Sequence, residues 1–145
     1  MKIHFILAPP IKKQKTGELS EGRIPPLGIL YLAAYIREKI SNLQIKVTDG
    51  LIEGFEKTYQ EVKNFDPDIL CISYFTLMAL GAYKFINLMK GNNKDLFVIV
   101  GGPHATALPE EALKKSKVDV VVIGEGEVTL YELVNLFIQR KHRNV

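Results

Sequence analysis

Cysteine is almost missing from this chain: Cys71 stands alone among 145 residues. No disulfide can form within the chain, which suits a reducing compartment. Cys71 lies in the apolar run DILCIS and reads as a small core residue. An excess of one charge is missing too. Against 19 basic residues stand 16 acidic ones, a net charge of +3. No basic face is concentrated, so nucleic acid is not an expected partner. The most basic short stretches, Lys12–Lys15 and Arg140–Arg143, read as a solvated loop and tail. Long apolar runs are also lacking. The longest, LGILYLAAYI at Leu27–Ile36, is about half of the roughly 20 residues a membrane helix needs. The N-terminal MKIHFILAPP carries no small-residue cleavage site and reads as a strand rather than a signal peptide. The expectation is a cytoplasmic protein with no membrane partner.

What is present is a regular alternation. Strands are expected at Ile3–Leu7, Ile45–Thr48, Asp68–Ser73, Leu96–Val100 and Val118–Ile123. Helices are expected at Leu27–Ile40, Phe55–Phe65, Met78–Lys90, Glu110–Lys115 and Glu127–Gln139. Asp66-Pro67 stops the second helix. The runs FVIV and VDVVVI are apolar without alternation, as strands covered on both faces require. Five βα units in series predict one α/β domain over residues 1–145: a flavodoxin-like, doubly wound, five-stranded parallel sheet of order 2-1-3-4-5. The first helix is apolar almost all round. Either its extra face packs on another domain or subunit, or the helix is deeply buried.

In such sheets, ligands bind beyond the carboxyl ends of the strands. The loops there read APPIKKQKTGELSEGRIPP, SYFTLM, GGPHATALP and GEGE. The first, from Ala8 to Pro26, is long enough to suggest function. The others offer hydroxyls at Ser73, Tyr74 and Thr76, bare backbone at Gly101 and Gly102, and Gly124 and Gly126 before a helix start. Together these small residues suggest a wide shelf rather than a tight pocket. Several familiar sites are missing. No acidic cluster follows strand one and no Asp ends strand three, which excludes a receiver domain. There is no phosphate-binding G-x-x-x-x-G-K-[ST] motif. GEGEVT at Gly124–Thr129 is a poor dinucleotide motif, because its third glycine is Thr129 and its two glutamates repel a pyrophosphate. Of the three histidines, His4 reads as a packed strand residue and His142 as solvated. His104 is placed to hydrogen-bond a ligand, and no metal-site spacing surrounds it. Glu125 and Glu127 are possible acids or bases, and Glu127 equally suits a helix N-terminus. Nothing assembles a nucleophile, base and orienting group, so no catalytic residue is assigned.

The segments IPPLGILYLAAYIRE, DPDILCISYFT, VIVGGPHATALPEEAL and VDVVVIGEGEVTLYELV, in this order, resemble the N-terminal cobalamin-binding domain of B12-dependent radical SAM proteins. That family includes methyltransferases and an anaerobic oxidative cyclase. The resemblance implies a corrinoid whose nucleotide tail enters beside the sheet. Ser73, Tyr74, Thr76, Gly101, Gly102, Pro103, His104, Gly124, Glu125 and Gly126 are the cofactor-binding residues it implies, with the glycines left bare for the cofactor. Classical cobalamin domains carry Asp-x-His-x-x-Gly after strand one, whose His ligates cobalt. Here that place reads APPIKKQKTG, so the implied state is base-off cobalamin with no protein histidine on the metal. A radical SAM enzyme also needs a Cys-x-x-x-Cys-x-x-Cys loop for its 4Fe-4S cluster beside S-adenosylmethionine. With Cys71 alone, this chain builds no such cluster. The expectation is an N-terminal fragment whose radical SAM domain follows, inactive by itself. Two other readings stand beside this one: a cofactor-free scaffold or substrate lid, and a small nucleotide-binding α/β protein.

Overall fold

The computed structural model describes residues 1–11 and 25–143, without the side chains of 141–143. Five parallel strands form one sheet of order β2-β1-β3-β4-β5. They are β1 (Lys2–Leu7), β2 (Gln44–Asp49), β3 (Ile69–Ser73), β4 (Phe97–Gly101) and β5 (Val120–Val121). The helices are α1 (Leu27–Lys39), α2 (Gly50–Glu53), α3 (Phe55–Phe65), α4 (Ala79–Asn92), α5 (Pro103–Ala107), α6 (Pro109–Lys115) and α7 (Glu127–Arg143). The flavodoxin-like architecture is the one the alternation predicts.

The register assigns each side chain to a face. Phe5, Cys71 and Ile99 are level with one another, and Leu7, Ser73 and Gly101 form the next rung but one. Because side chains two apart share a face, these six residues look toward the same side. His4, Ile6, Leu70, Ile72 and Val98 look toward the other. Chain turns obey local chemistry. Asp66 ends α3 in the left-handed region at φ 49, just before Pro67. The side chain of Asp49 accepts a hydrogen bond from Leu51 N at the start of α2.

Two expectations need correction, and one of the two readings of the first helix falls. The fifth strand does not run from Val118 to Ile123; only Val120 and Val121 pair with β4. One cause is Asp119, whose carboxylate accepts the N–H of Val98 at 2.7 Å and also binds Lys90. A side chain thus meets the donor at the strand's start, and the edge has a neighbour on one side only. Second, GGPHATALP is not a loop. Gly102 caps α5 and Pro103 sits in its first turn, where a missing N–H costs nothing. Helix α1 is not deeply buried. Ile29, Ala33 and Ile36 face the core, while Leu30 and Tyr31 are exposed. Of the long first loop, residues 12–24 lie outside the described residues, and Lys12–Lys15 with them.

Candidate functional site: an apolar cavity at the carboxyl edge

A cavity of about 690 Å³ opens at the carboxyl edge of the sheet. Its floor is the sheet face that carries Phe5, Cys71 and Ile99. Its walls come from Ile29 and Leu32 of α1 and Leu130 of α7. Along the floor, side chains shrink toward the edge. Phe5, Cys71 and Ile99 give way to Leu7, Ser73 and Gly101. The cavity is therefore open at the rung where two of three floor residues are small.

The two consecutive glycines have different causes. A Cβ on Gly101 would meet only Val122, at 3.6 Å or more, so packing does not demand glycine there. Gly101 leaves the mouth bare. Gly102 has φ +93, and a Cβ on it would fall 2.5 Å from Ser73 Oγ and 3.0 Å from Tyr74 N. It is required by the turn itself, ligand or not. A Cβ on Gly126, at the start of α7, would touch Leu32 and Val122 of the cavity wall at 3.5–3.7 Å. Gly124, at φ +75, faces open space.

Of the site residues expected from sequence, Ser73, Gly101, Gly102, Pro103, Gly124, Glu125 and Gly126 line the cavity; Tyr74, Thr76 and His104 do not. His104 does not stand free at the edge. It is buried, with Nδ1 on Thr76 Oγ1 at 3.1 Å and Nε2 on Tyr83 Oη at 3.2 Å. Tyr83 Oη also donates to Glu111 at 3.4 Å. That carboxyl is held below its ordinary range, chiefly by its hydrogen bond to Lys115. Burial pushes the Tyr83 phenol up, so it keeps its proton. With Tyr83 donating to the carboxylate, its oxygen is left to accept from His104 Nε2. His104 thus ties α5, α4 and the turn at Thr76 together. Tyr74 is fully buried against Tyr83 and His104, and burial raises its phenol as well.

Sequence reasoning did not name the residues from β1, β2, α1, α2 and α7 that complete the cavity, among them Phe5, Asp49, Leu32, Leu51 and Leu130. One signal for them was visible: a first helix with more apolar surface than a single buried face needs.

His4 lies on the opposite face. Its Nε2 meets Thr48 Oγ1 at 2.9 Å, and Thr48 donates to Glu61 at 2.6 Å. Burial, helped by Lys46 and opposed by Glu61, lowers this imidazole to about 4. Burial also raises the thiol of Cys71, so the cavity floor carries S–H and not thiolate. Among the described residues, no group of three or more His, Cys, Asp or Glu side chains could hold a metal ion. No described helix is long and apolar enough to cross a membrane.

Sheet order and cavity define a doubly wound α/β domain with an apolar cavity beyond the strand ends. The sequence profile of the B12 binding domain family matches residues 16–134. The chain belongs to that family. It is 39% identical over 138 residues to an uncharacterized methyltransferase of Pyrococcus horikoshii, covering 93% of this chain and 29% of that protein. It is 29% identical over 117 residues to the anaerobic magnesium-protoporphyrin IX monomethyl ester cyclase of Rubrivivax gelatinosus, covering 78% and 21%. Over 70 residues it is 34% identical to the cobalamin-dependent radical SAM methyltransferase TokK of Streptomyces tokunonensis, covering 48% and 10%. The chain thus spans less than a third of the length of these relatives. The fold matches the cobalamin-dependent S-adenosylmethionine radical enzyme OxsB, solved with aqua-cobalamin and S-adenosylmethionine bound. The TM-score is 0.78 at 17% identity, over 95% of this chain and 19% of that one.

Proposed function

We propose that this chain binds cobalamin, with the nucleotide tail in the cavity, the tail's base released from cobalt, and no protein histidine in its place. The observation that carries this reading is the cavity itself: apolar, set between the sheet and α1, and open at the rung of Ser73 and Gly101. Its residues suit a flat aromatic base. Phe5, Ile29, Val122 and Leu130 supply apolar walls, and Ser73 supplies a hydroxyl near the entrance. The exposed apolar side chains of Leu27, Leu51, Ile52 and Phe75 ring the mouth. They offer a surface for the wide corrin ring and for a catalytic domain, as clustered exposed apolar side chains commonly do for a partner.

The base-off, histidine-free state is supported by the two histidines whose side chains are described. His4 faces away from the cavity, and both ring nitrogens of His104 are engaged within the fold. The corrinoid would supply organometallic chemistry. This chain's residues would shield the tail from water and orient the ring through it. In the whole protein, the role we assign is the cofactor domain of a radical SAM methyltransferase or cyclase, with the 4Fe-4S cluster and S-adenosylmethionine held elsewhere. A nucleotide di- or triphosphate suits this site poorly. Asp49, Glu125 and Glu127 line the cavity, and no described Lys, Arg or His does.

The test is to mix the purified chain with hydroxocobalamin, desalt it and record the visible spectrum, then reduce to Co(II) and record the electron paramagnetic resonance. A retained corrinoid without nitrogen splitting from an axial ligand is expected. Splitting from a nitrogen ligand would refute the base-off reading. Failure to retain any corrinoid would favour the scaffold role.

A further inference from the structure

The cavity is polar only at its entrance. Every fully buried residue of its lining is apolar or cysteine, from Phe5 and Cys71 on the floor to Ile29 and Leu130 on the walls. The polar side chains of the lining are Asp49, Ser73, Glu125 and Glu127, all partly or fully exposed: Asp49 and Ser73 end strands, Glu127 starts α7 and Glu125 lies in the turn before it. Backbone groups of β1, β3 and β4 behind the floor are committed to the parallel ladder.

We infer that this cavity selects among corrinoids by the base of the nucleotide tail, taking an apolar bicycle such as dimethylbenzimidazole and rejecting adenine. The inference rests on the corrinoid reading above and deepens it.

The chemistry is a count of donors and acceptors. Dimethylbenzimidazole released from cobalt has one free ring nitrogen. The thiol of Cys71, kept protonated by burial, and the hydroxyl of Ser73 are the donors on the lining that can meet it. Its two methyl groups and benzene ring gain from apolar walls. Adenine brings further ring nitrogens and an amino group with two N–H donors. Inside this lining Cys71 and Ser73 can answer one or two of these groups, and the others lose their water partners and find none in exchange. A site without matching polar groups rejects a polar base chiefly through that unpaired burial.

The experiment compares three corrinoids on the same chain by absorbance titration: cobalamin, its adeninyl analogue, and cobinamide, which has no nucleotide. Cobalamin is expected to bind at least about tenfold more tightly than the adeninyl analogue, which should fall toward cobinamide. Equal affinity for cobalamin and the adeninyl analogue, both tighter than cobinamide, would overturn base selection and leave the tail site standing. Equal affinity for all three would overturn the tail site and this inference together. No binding of any of them would overturn the corrinoid reading itself. The comparison needs no variant, so folding does not enter the result.

Discussion

Gly101 and Gly102 are adjacent and alike on paper, yet they answer to different constraints. Replacing Gly102 with Ala forces a side chain into φ +93 and against Ser73 and Tyr74. The expected cost is roughly 2–4 kcal/mol in chemical denaturation. Gly101→Ala is expected to stay within about 1 kcal/mol of the parent. Equal costs at the two positions would contradict the assignment of one glycine to the turn and the other to the mouth. His4 makes a second prediction at this scale. Its folded value is about 4 against an ordinary 6.5. Between these values the unfolded chain binds the proton and the folded chain does not, so stability falls as pH drops through that window. The loss should approach about 3 kcal/mol by pH 4. Denaturation midpoints measured at pH 7, 5.5 and 4 check it, and a His4→Leu variant should lose this pH dependence.

At the scale of elements, α1, α3, α4, α6, α7 and the first four strands were legible because each buries a patterned face or a continuous apolar run. Phe55–Phe65 is bounded in the structure as the Asp66-Pro67 stop signal requires. The misses have local causes. Five residues of α5 are too few to show a period, and its start depends on Gly102 turning the chain. The extent of β5 depends on where Asp119 places its carboxylate, a tertiary fact. For the same reason His104 looked available in sequence and proved engaged: Thr76 and Tyr83 are 28 and 21 residues away along the chain. His104 is accordingly a tie between elements. His104→Ala should lower stability by about 2–3 kcal/mol, from two lost hydrogen bonds and a small void. Corrinoid affinity measured well below the unfolding transition should change little. A large loss of affinity with unchanged stability would place His104 at the ligand instead.

Across the whole molecule, the two sheet faces divide the work. One packs α3 and α4 and holds the buried His4–Thr48–Glu61 chain. The other leaves a cavity under α1 and α7. The edge that carries the cavity also carries the most exposed apolar side chain, Leu77, 97% exposed in the helical turn before α4. The sequence pattern located this edge through its small residues. It did not disclose the cavity's depth, which arises because α1 and α7 stand away from Cys71, Ser73 and Gly101. The central claim is that the cavity receives the nucleotide tail. The most direct measurement is the cobalamin dissociation constant of Gly126→Leu beside the parent, with denaturation midpoints recorded for both. The new side chain would grow from contact with Leu32 and Val122 into the cavity. Binding weakened about tenfold or more at matched stability is the predicted result. Unchanged affinity in a folded Gly126→Leu chain would place the tail elsewhere and contradict the account.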